Sequence, residues 1–245
     1  MSAQQGSPGG GLLLVGAHPD DEIAAAGTIA LYTRHGFRTT VVLMTRGGLG
    51  HMTMSSDELK RVRTREAEKS AATLGAELMF LDYEDGAIPQ SREVALQLVD
   101  VFRSKRPSVV ITQREDDKHP DHRNTHRNVL DAFYLASLPL VKTAYPYFYV
   151  KQVYVFGHDA GQVYIDISEV IDLKIEAAMC HESQFAGWLL EHRGGVDRLG
   201  VTDYREALRA RAAAAGWRCR VRYAEAYEPV FPARPTALTK FPETE

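Results

Sequence analysis

Four short apolar runs, each followed by a helical pattern, constrain this chain more than any other feature. Leu12–Ala17, Thr39–Met44, Glu77–Leu81 and Ser108–Thr112 are dominated by Leu, Val, Ile and Met and lack a regular polar face. That is how strands read when helices cover both sides of a parallel sheet. The stretches that follow, Glu22–His35, Asp57–Leu74, Glu93–Arg103 and Asp121 to about Ala136, place apolar residues at helical spacing, and Gly36 and Gly75 supply stops. Strand and helix in alternation predict right-handed crossovers and a Rossmann-like, doubly wound, mainly parallel α/β sheet.

After Pro139 the texture changes. Val153–Phe156 and Val163–Ile167 read as strands around a turn at His158–Gly161, and Ser168–His181 reads as a helix. A helix over Tyr204–Ala215 is expected to stop at Gly216, and the period-two pattern of Arg218–Tyr223 predicts an edge strand. With 245 residues the whole chain suits one domain. It divides into a disordered tail over 1–11, a Rossmann-like core over 12–138 and a C-terminal α+β elaboration over 139–245.

Two polar clusters sit where strands hand over to helices. His18-Pro19-Asp20-Asp21-Glu22 follows the first strand, and His119-Pro120-Asp121-His122 follows the fourth. In a doubly wound sheet these strands are commonly neighbours where the strand order reverses, so the clusters should face one another in the crevice that binds ligands. Several carboxylates packed so closely repel unless a cation or proton resolves them. Two His and one carboxylate with an open position describe a catalytic zinc site, which iron or cobalt would also fit. His126, one turn beyond His122, shares its helix face, but a place behind the ligands or facing solvent is preferred. His51, His158, His181 and His192 have no partnered motif and read as surface or core.

The formal net charge of −3 lacks the clustered basic surface of nucleic-acid binders. The arginines from Arg198 to Arg222 are interleaved with Asp197, Asp203 and Glu206 and read as a solvated face. Cys180 and Cys219 form no C-x-x-C pattern and read as reduced thiols, and no apolar run is long enough for export or a membrane span. A cytoplasmic protein is expected. Gly47, Gly48 and Gly50 match neither dinucleotide nor P-loop spacing.

The paired landmarks, with Thr45-Arg46-Gly47-Gly48, Arg65-Glu66, Leu74-Gly75, Ser183-Gln184-Phe185 and Tyr223-Ala224-Glu225-Ala226-Tyr227, resemble the PIG-L/LmbE-like N-acetylglucosaminyl deacetylases, which include mycothiol- and bacillithiol-pathway enzymes. The resemblance implies a single Zn2+ held by His18, Asp21 and His122, with Asp20 as general base drawing a proton from metal-bound water. It implies that His119 stabilises the oxyanion or protonates the leaving amine, and that Asp121 orients His119. It also implies that Arg46 binds sugar hydroxyls or an anionic aglycone, that 47–56 borders the cleft, and that the chain forms a homo-oligomer, a trimer or hexamer. The substrate so implied is an N-acetylated amino sugar. Asp117 stands where some thiol-pathway relatives carry a Tyr, a departure that with Asp116 predicts an acidic entrance. Two rival readings are a metal-dependent phosphoesterase and a sugar-binding module without turnover.

Overall fold

The first strand, β1 (Gly11–Gly16), is buried at every residue. Its apolar run hides a period of two: Leu12 and Leu14 pack into one core, Leu13 and Val15 into another. Val41 and Leu43 against Val42 and Met44 on β2 (Thr39–Thr45), and Val109 and Ile111 against Val110 on β4 (Pro107–Thr112), divide the same way. Both faces of the sheet therefore bury side chains, each contributing roughly 1.5–3 kcal/mol. The computed structural model describes residues 10–157, 161–185 and 203–231. The tail through residue 9, the 158–160 part of the turn with His158, and His192, Asp197 and Arg198 lie outside the described residues.

One face carries α1 (Ala26–Arg34), α2 (Ser56–Leu74), α5 (Ile171–Met179) and α7 (Tyr204–Cys219), while α3 (Arg92–Lys105) and α4 (Pro120–Ala136) cover the other. With β3 (Glu77–Tyr83), β5 (Gln152–Val155), β6 (Val163–Asp166) and β7 (Ala224–Pro229), the sheet runs β3-β2-β1-β4-β5-β7-β6. The first five strands pair in parallel, and β7 joins β5 and β6 antiparallel. This is the expected doubly wound sheet, with β1 beside β4 at the point of reversal. β5, from the segment read as elaboration, extends the parallel core.

Local chemistry sets the helix ends. Ser55 caps α2 through Glu58 N and Ser91 caps α3 through Val94 N, while Gly75 ends α2 with φ of 69°. β7 is tied back to α1: the Glu225 carboxylate accepts from Gly27 N, Thr28 N and Thr28 Oγ1, and Lys174 Nζ meets it at 2.6 Å. A carboxylate there satisfies orphan amides at the start of α1 and opposes the positive end of its dipole. No helix among the described residues is long and apolar enough to cross a membrane.

Three expectations are corrected. The helix predicted over Glu22–His35 opens as a 3-10 turn, Asp21–Ala25, because Asp20 stands in the left-handed region. The helix predicted over Ser168–His181 is shorter, beginning at Ile171. At the C-terminal side, α7 passes through Gly216 to Cys219 and Arg220 closes it in a left-handed conformation. The predicted strand Arg218–Tyr223 is therefore the end of a helix and a turn, and the strand begins at Ala224. Gly216 fits inside the helix because a side chain there would strike Val221 O, where the chain doubles back.

Candidate metal centre

The turn after β1 is built so that its carboxylates point inward. Asp21 Oδ2 accepts from His18 N at 2.8 Å, closing the loop on itself. Gly16 makes room: a Cβ on it would lie 2.8 Å from Asp21 Cβ. Asp20 adopts φ of 102°, a conformation that costs a non-glycine residue about 1–3 kcal/mol and persists only where its surroundings hold it. Opposite, His119 is the N-cap of α4, its Nδ1 accepting from Asp121 N at 3.2 Å, with Pro120 in the first turn. That bond leaves Nε2 to carry the ring proton, so His119 presents a donor.

The two turns meet. His18 Nδ1 lies 3.3 Å from His122 Nε2, His122 Nε2 lies 3.5 Å from Asp21 Oδ1, and Asp21 Oδ2 lies 3.8 Å from His18 Nδ1. The His119 ring is 4.7 Å from that of His18 and 4.9 Å from that of His122, centroid to centroid. Ligand atoms around a tetrahedral ion with bonds of 2.0–2.2 Å are spaced roughly 3.3–3.6 Å. The two imidazole nitrogens have the spacing of ligands to a small divalent cation, and Asp21 brings one carboxylate oxygen towards each of them. Two sets of ligand atoms lie within 4.8 Å of one another, His18 with His119 and His122, and His18 with Asp85 and Asp121.

The latter group engages the other nitrogen of His18. Nε2 lies 3.1 Å from both Asp121 Oδ2 and Asp85 Oδ1. A carboxylate on the far nitrogen orients a ligating imidazole and raises its basicity. Burial alone would lower the pKa of His18, but hydrogen bonds to Asp121 and Asp85 and the charges of Asp21 and Asp85 override it and push the pKa up to about 10. The cluster demands positive charge at this point, which a proton or a metal ion can supply.

Asp121 departs from its expected role. Its carboxylate, predicted to orient His119, accepts instead from Gly86 N at 2.7 Å and Ile88 N at 3.1 Å and engages His18. It joins the β3–α3 loop to the first polar turn. Asp117 departs too: it faces inward, with Oδ1 accepting from His119 N at 2.8 Å and Oδ2 3.1 Å from His122 Nδ1, out of line for a hydrogen bond. Burial opposes its ionisation, but these neighbours hold its pKa below the ordinary value. Asp116 is exposed and pairs with Arg114.

Arg46, expected to bind sugar hydroxyls or an anionic aglycone, is engaged by neighbouring side chains. Its guanidinium bonds to Asp82 at 2.5 Å and Thr64 at 3.1 Å and stacks 4.2 Å over Phe80. The arginine brought to the site is Arg63, 4% exposed, with Nη2 3.3 Å from Asp20 Oδ2. Arg63 also donates to Pro19 O and Gly47 O, and Gly47 has φ of 65°, its missing side chain leaving the space the guanidinium fills. Asp20 keeps 23% side-chain exposure, so it is only partly withdrawn from water. Desolvation raises its pKa, Arg63 opposes, Asp21 adds repulsion, and it rests at about 6.

Three more residues at the site carried no motif signal: Asp85, Gln113 and Arg63. Asp85 accepts from Leu49 N, and although burial opposes ionisation, His18 holds its pKa down to about 2. Gln113 donates to Asp21 Oδ2 at 2.5 Å. His126 stays behind the ligands, its Nδ1 2.8 Å from Gln113 O. Asp85 and Gln113 follow the ends of β3 and β4, the one signal that could have singled them out, whereas Arg63 lies within α2.

The family model described as PIG-L, GlcNAc-PI de-N-acetylase, matches residues 13–133, which span both polar turns. Diacetylchitobiose deacetylase of Thermococcus kodakarensis is 32% identical over 187 residues, covering 71% of this chain and 70% of that protein. The structure of N,N'-diacetylchitobiose deacetylase from Pyrococcus horikoshii superposes with a TM-score of 0.77 at 28% identity, covering 89% of this chain and 83% of that one. GalB, the 4-carboxy-2-hydroxymuconate hydratase of Pseudomonas putida KT2440, superposes equally well, with a TM-score of 0.77 at 25% identity over 94% of this chain and 99% of its own.

Proposed function

This chain belongs to the PIG-L family, and we propose that it is a divalent-metal-dependent amide hydrolase that removes the acetyl group from a 2-acetamido sugar. The observation that carries this reading is the convergence of His18 Nδ1, His122 Nε2 and Asp21 on one point, with Asp20 and His119 flanking it. In this reading His18, Asp21 and His122 hold the ion, zinc by preference. When bound there, the ion supplies Lewis-acid chemistry, polarising an acyl carbonyl and acidifying water.

The chain's own residues divide the proton work. Asp20, whose ionised form Arg63 favours against burial, accepts the proton that water releases as its oxygen attacks the acetyl carbon. His119 offers Nε2–H to the oxygen on which negative charge develops. As the C–N bond breaks, the proton gathered on Asp20 passes to the nitrogen, and the products are acetate and a free amine. Asp121 and Asp117 steady His18 and His122 while this happens. The names of the Thermococcus and Pyrococcus relatives support an N-acetylated glucosamine disaccharide as substrate.

The likeness to a hydratase favours a second reading, addition of water to an unsaturated hydroxy acid on the same scaffold. One experiment separates the two. Metal-loaded protein is given N,N'-diacetylchitobiose and N-acetylglucosamine, with acetate assayed, and 4-carboxy-2-hydroxymuconate, with loss of its chromophore followed. Acetate release supports the deacetylase; hydration alone, or no acetate from either sugar, overturns it.

A further inference from the structure

His181 and Glu22 form a buried pair that the chemistry above does not use. His181 Nε2 lies 2.6 Å from Glu22 Oε1, and the His181 side chain is 0% exposed. Ser70 Oγ on α2 donates to the same carboxylate oxygen at 2.7 Å. The other oxygen, Oε2, accepts from Asp20 N at 3.0 Å. Asp20 is the residue held at φ of 102°. A backbone that strained relaxes unless something outside the turn holds it, and the Asp20 amide is fixed through a carboxylate anchored from two other elements.

His181 opens a short run of such contacts. Ser183 on α6 (Glu182–Phe185) donates to Glu66 through N at 2.7 Å and Oγ at 2.6 Å. Gln184 Nε2 reaches Gly50 O at 3.4 Å, in the loop that follows β2. From the other direction Arg63 joins Asp20 to Pro19 O and Gly47 O. The segment 181–185 is thus clamped on the site's turn, on α2 and on the β2–α2 loop, and His181 is the member aimed at the turn that bears the proposed base. Without its imidazole partner the Glu22 carboxylate loses one of the two anchors on Oε1 and is free to swing, releasing the amide of Asp20.

We propose that His181 is a positioning residue for Asp20, acting through Glu22 to hold the left-handed turn in which the carboxylate faces the cleft. This rests on the reading of Asp20 as the base, so the test has one readout that does not depend on turnover. His181→Phe keeps ring volume and removes the nitrogen; His181→Gln keeps a donor; Ser70→Ala removes the milder anchor and serves where His181→Phe does not fold. Amide exchange of Asp20 is followed by NMR in each, against β1 amides as an internal reference. Exchange at Asp20 is expected to accelerate about tenfold or more in His181→Phe, less in Ser70→Ala, with β1 unchanged and protection largely restored in His181→Gln.

In steady-state acetate release from N,N'-diacetylchitobiose, His181→Phe is expected to lose about 10- to 100-fold in kcat with KM and metal content near wild type. Ser70→Ala loses less, and His181→Gln recovers most of the rate. A purely structural role would instead lower stability and the metal-loaded fraction together, without a selective change at Asp20. Wild-type exchange at Asp20 in His181→Phe, or in Ser70→Ala where the former does not fold, overturns the proposal. A wild-type protein that releases no acetate overturns the deacetylase reading, while the exchange arm still decides the role of His181.

Discussion

His18 Nδ1 and His122 Nε2 face each other across 3.3 Å although 104 residues separate them in the chain. Unaided, two imidazole nitrogens so close must share a proton or repel. The pairing of β1 with β4 places the two strand ends side by side, and the acids around them make a cation the natural occupant of the gap.

Asp121→Asn tests how the first histidine is held. The amide keeps its shape but has one oxygen, so it can accept from only one of Gly86 N and Ile88 N, and it no longer places negative charge on His18 Nε2. Metal affinity is expected to fall about 10- to 100-fold with the fold intact. Competition with a chromogenic chelator measures it, and unchanged affinity would show that the carboxylate does not support the ligand.

Asp20→Asn separates chemistry from binding. Loss of a positioned general base lowers kcat by about 10²- to 10⁴-fold, while bound metal stays near the wild-type amount because Asp20 is outside the proposed ligand set. Acetate release and elemental analysis on one preparation check both halves. Near-normal turnover would move the base elsewhere.

The pH profile follows from the same residue. A carboxylate with a pKa raised to about 6 must be ionised to accept a proton, so kcat/KM falls on the acid side. A bound cation beside Asp20 favours its ionised form. The acid limb of the metal-loaded enzyme therefore lies at or below pH 6, and a limb above pH 7 would contradict the assignment.

Stability carries a separate signature from the Glu22–His181 pair. Burial opposes both charges, but their attraction and hydrogen bond lower the pKa of Glu22 from 4.5 and raise that of His181 from 6.5. The depressed carboxyl stabilises the fold above 4.5 and loses that contribution as pH falls through its folded pKa. The raised imidazole stabilises it below 6.5 and loses that contribution as pH rises through its folded pKa. The Tm difference between wild type and the Glu22→Gln/His181→Gln double variant should peak between pH 4.5 and 6.5. A difference independent of pH would mean that the pair is not ionised.

Much of the fold was legible because parallel strands buried on both faces show as unbroken apolar runs, and the helices between them carry clear stops at Gly36 and Gly75. The His and Asp clusters stood out because they follow such runs. The C-terminal strand was misplaced because Arg218–Tyr223 alternates like a strand, while the Gly216 signal concerned a close approach of chain rather than a helix end. Arg46 and Arg63 could not be told apart by sequence: which arginine enters the site depends on the room left at Gly47 and on Asp82 taking up the other. His181 looked solitary because its partner, Glu22, lies 159 residues away.

The most direct test is the metal content of purified, metal-replete protein beside a His122→Ala variant, read by elemental analysis together with a circular dichroism check of folding. About one divalent transition-metal ion per chain is expected in the wild type and near none in a folded His122→Ala protein. A wild-type chain that binds no such ion, or a variant that binds as much as the wild type, would contradict it.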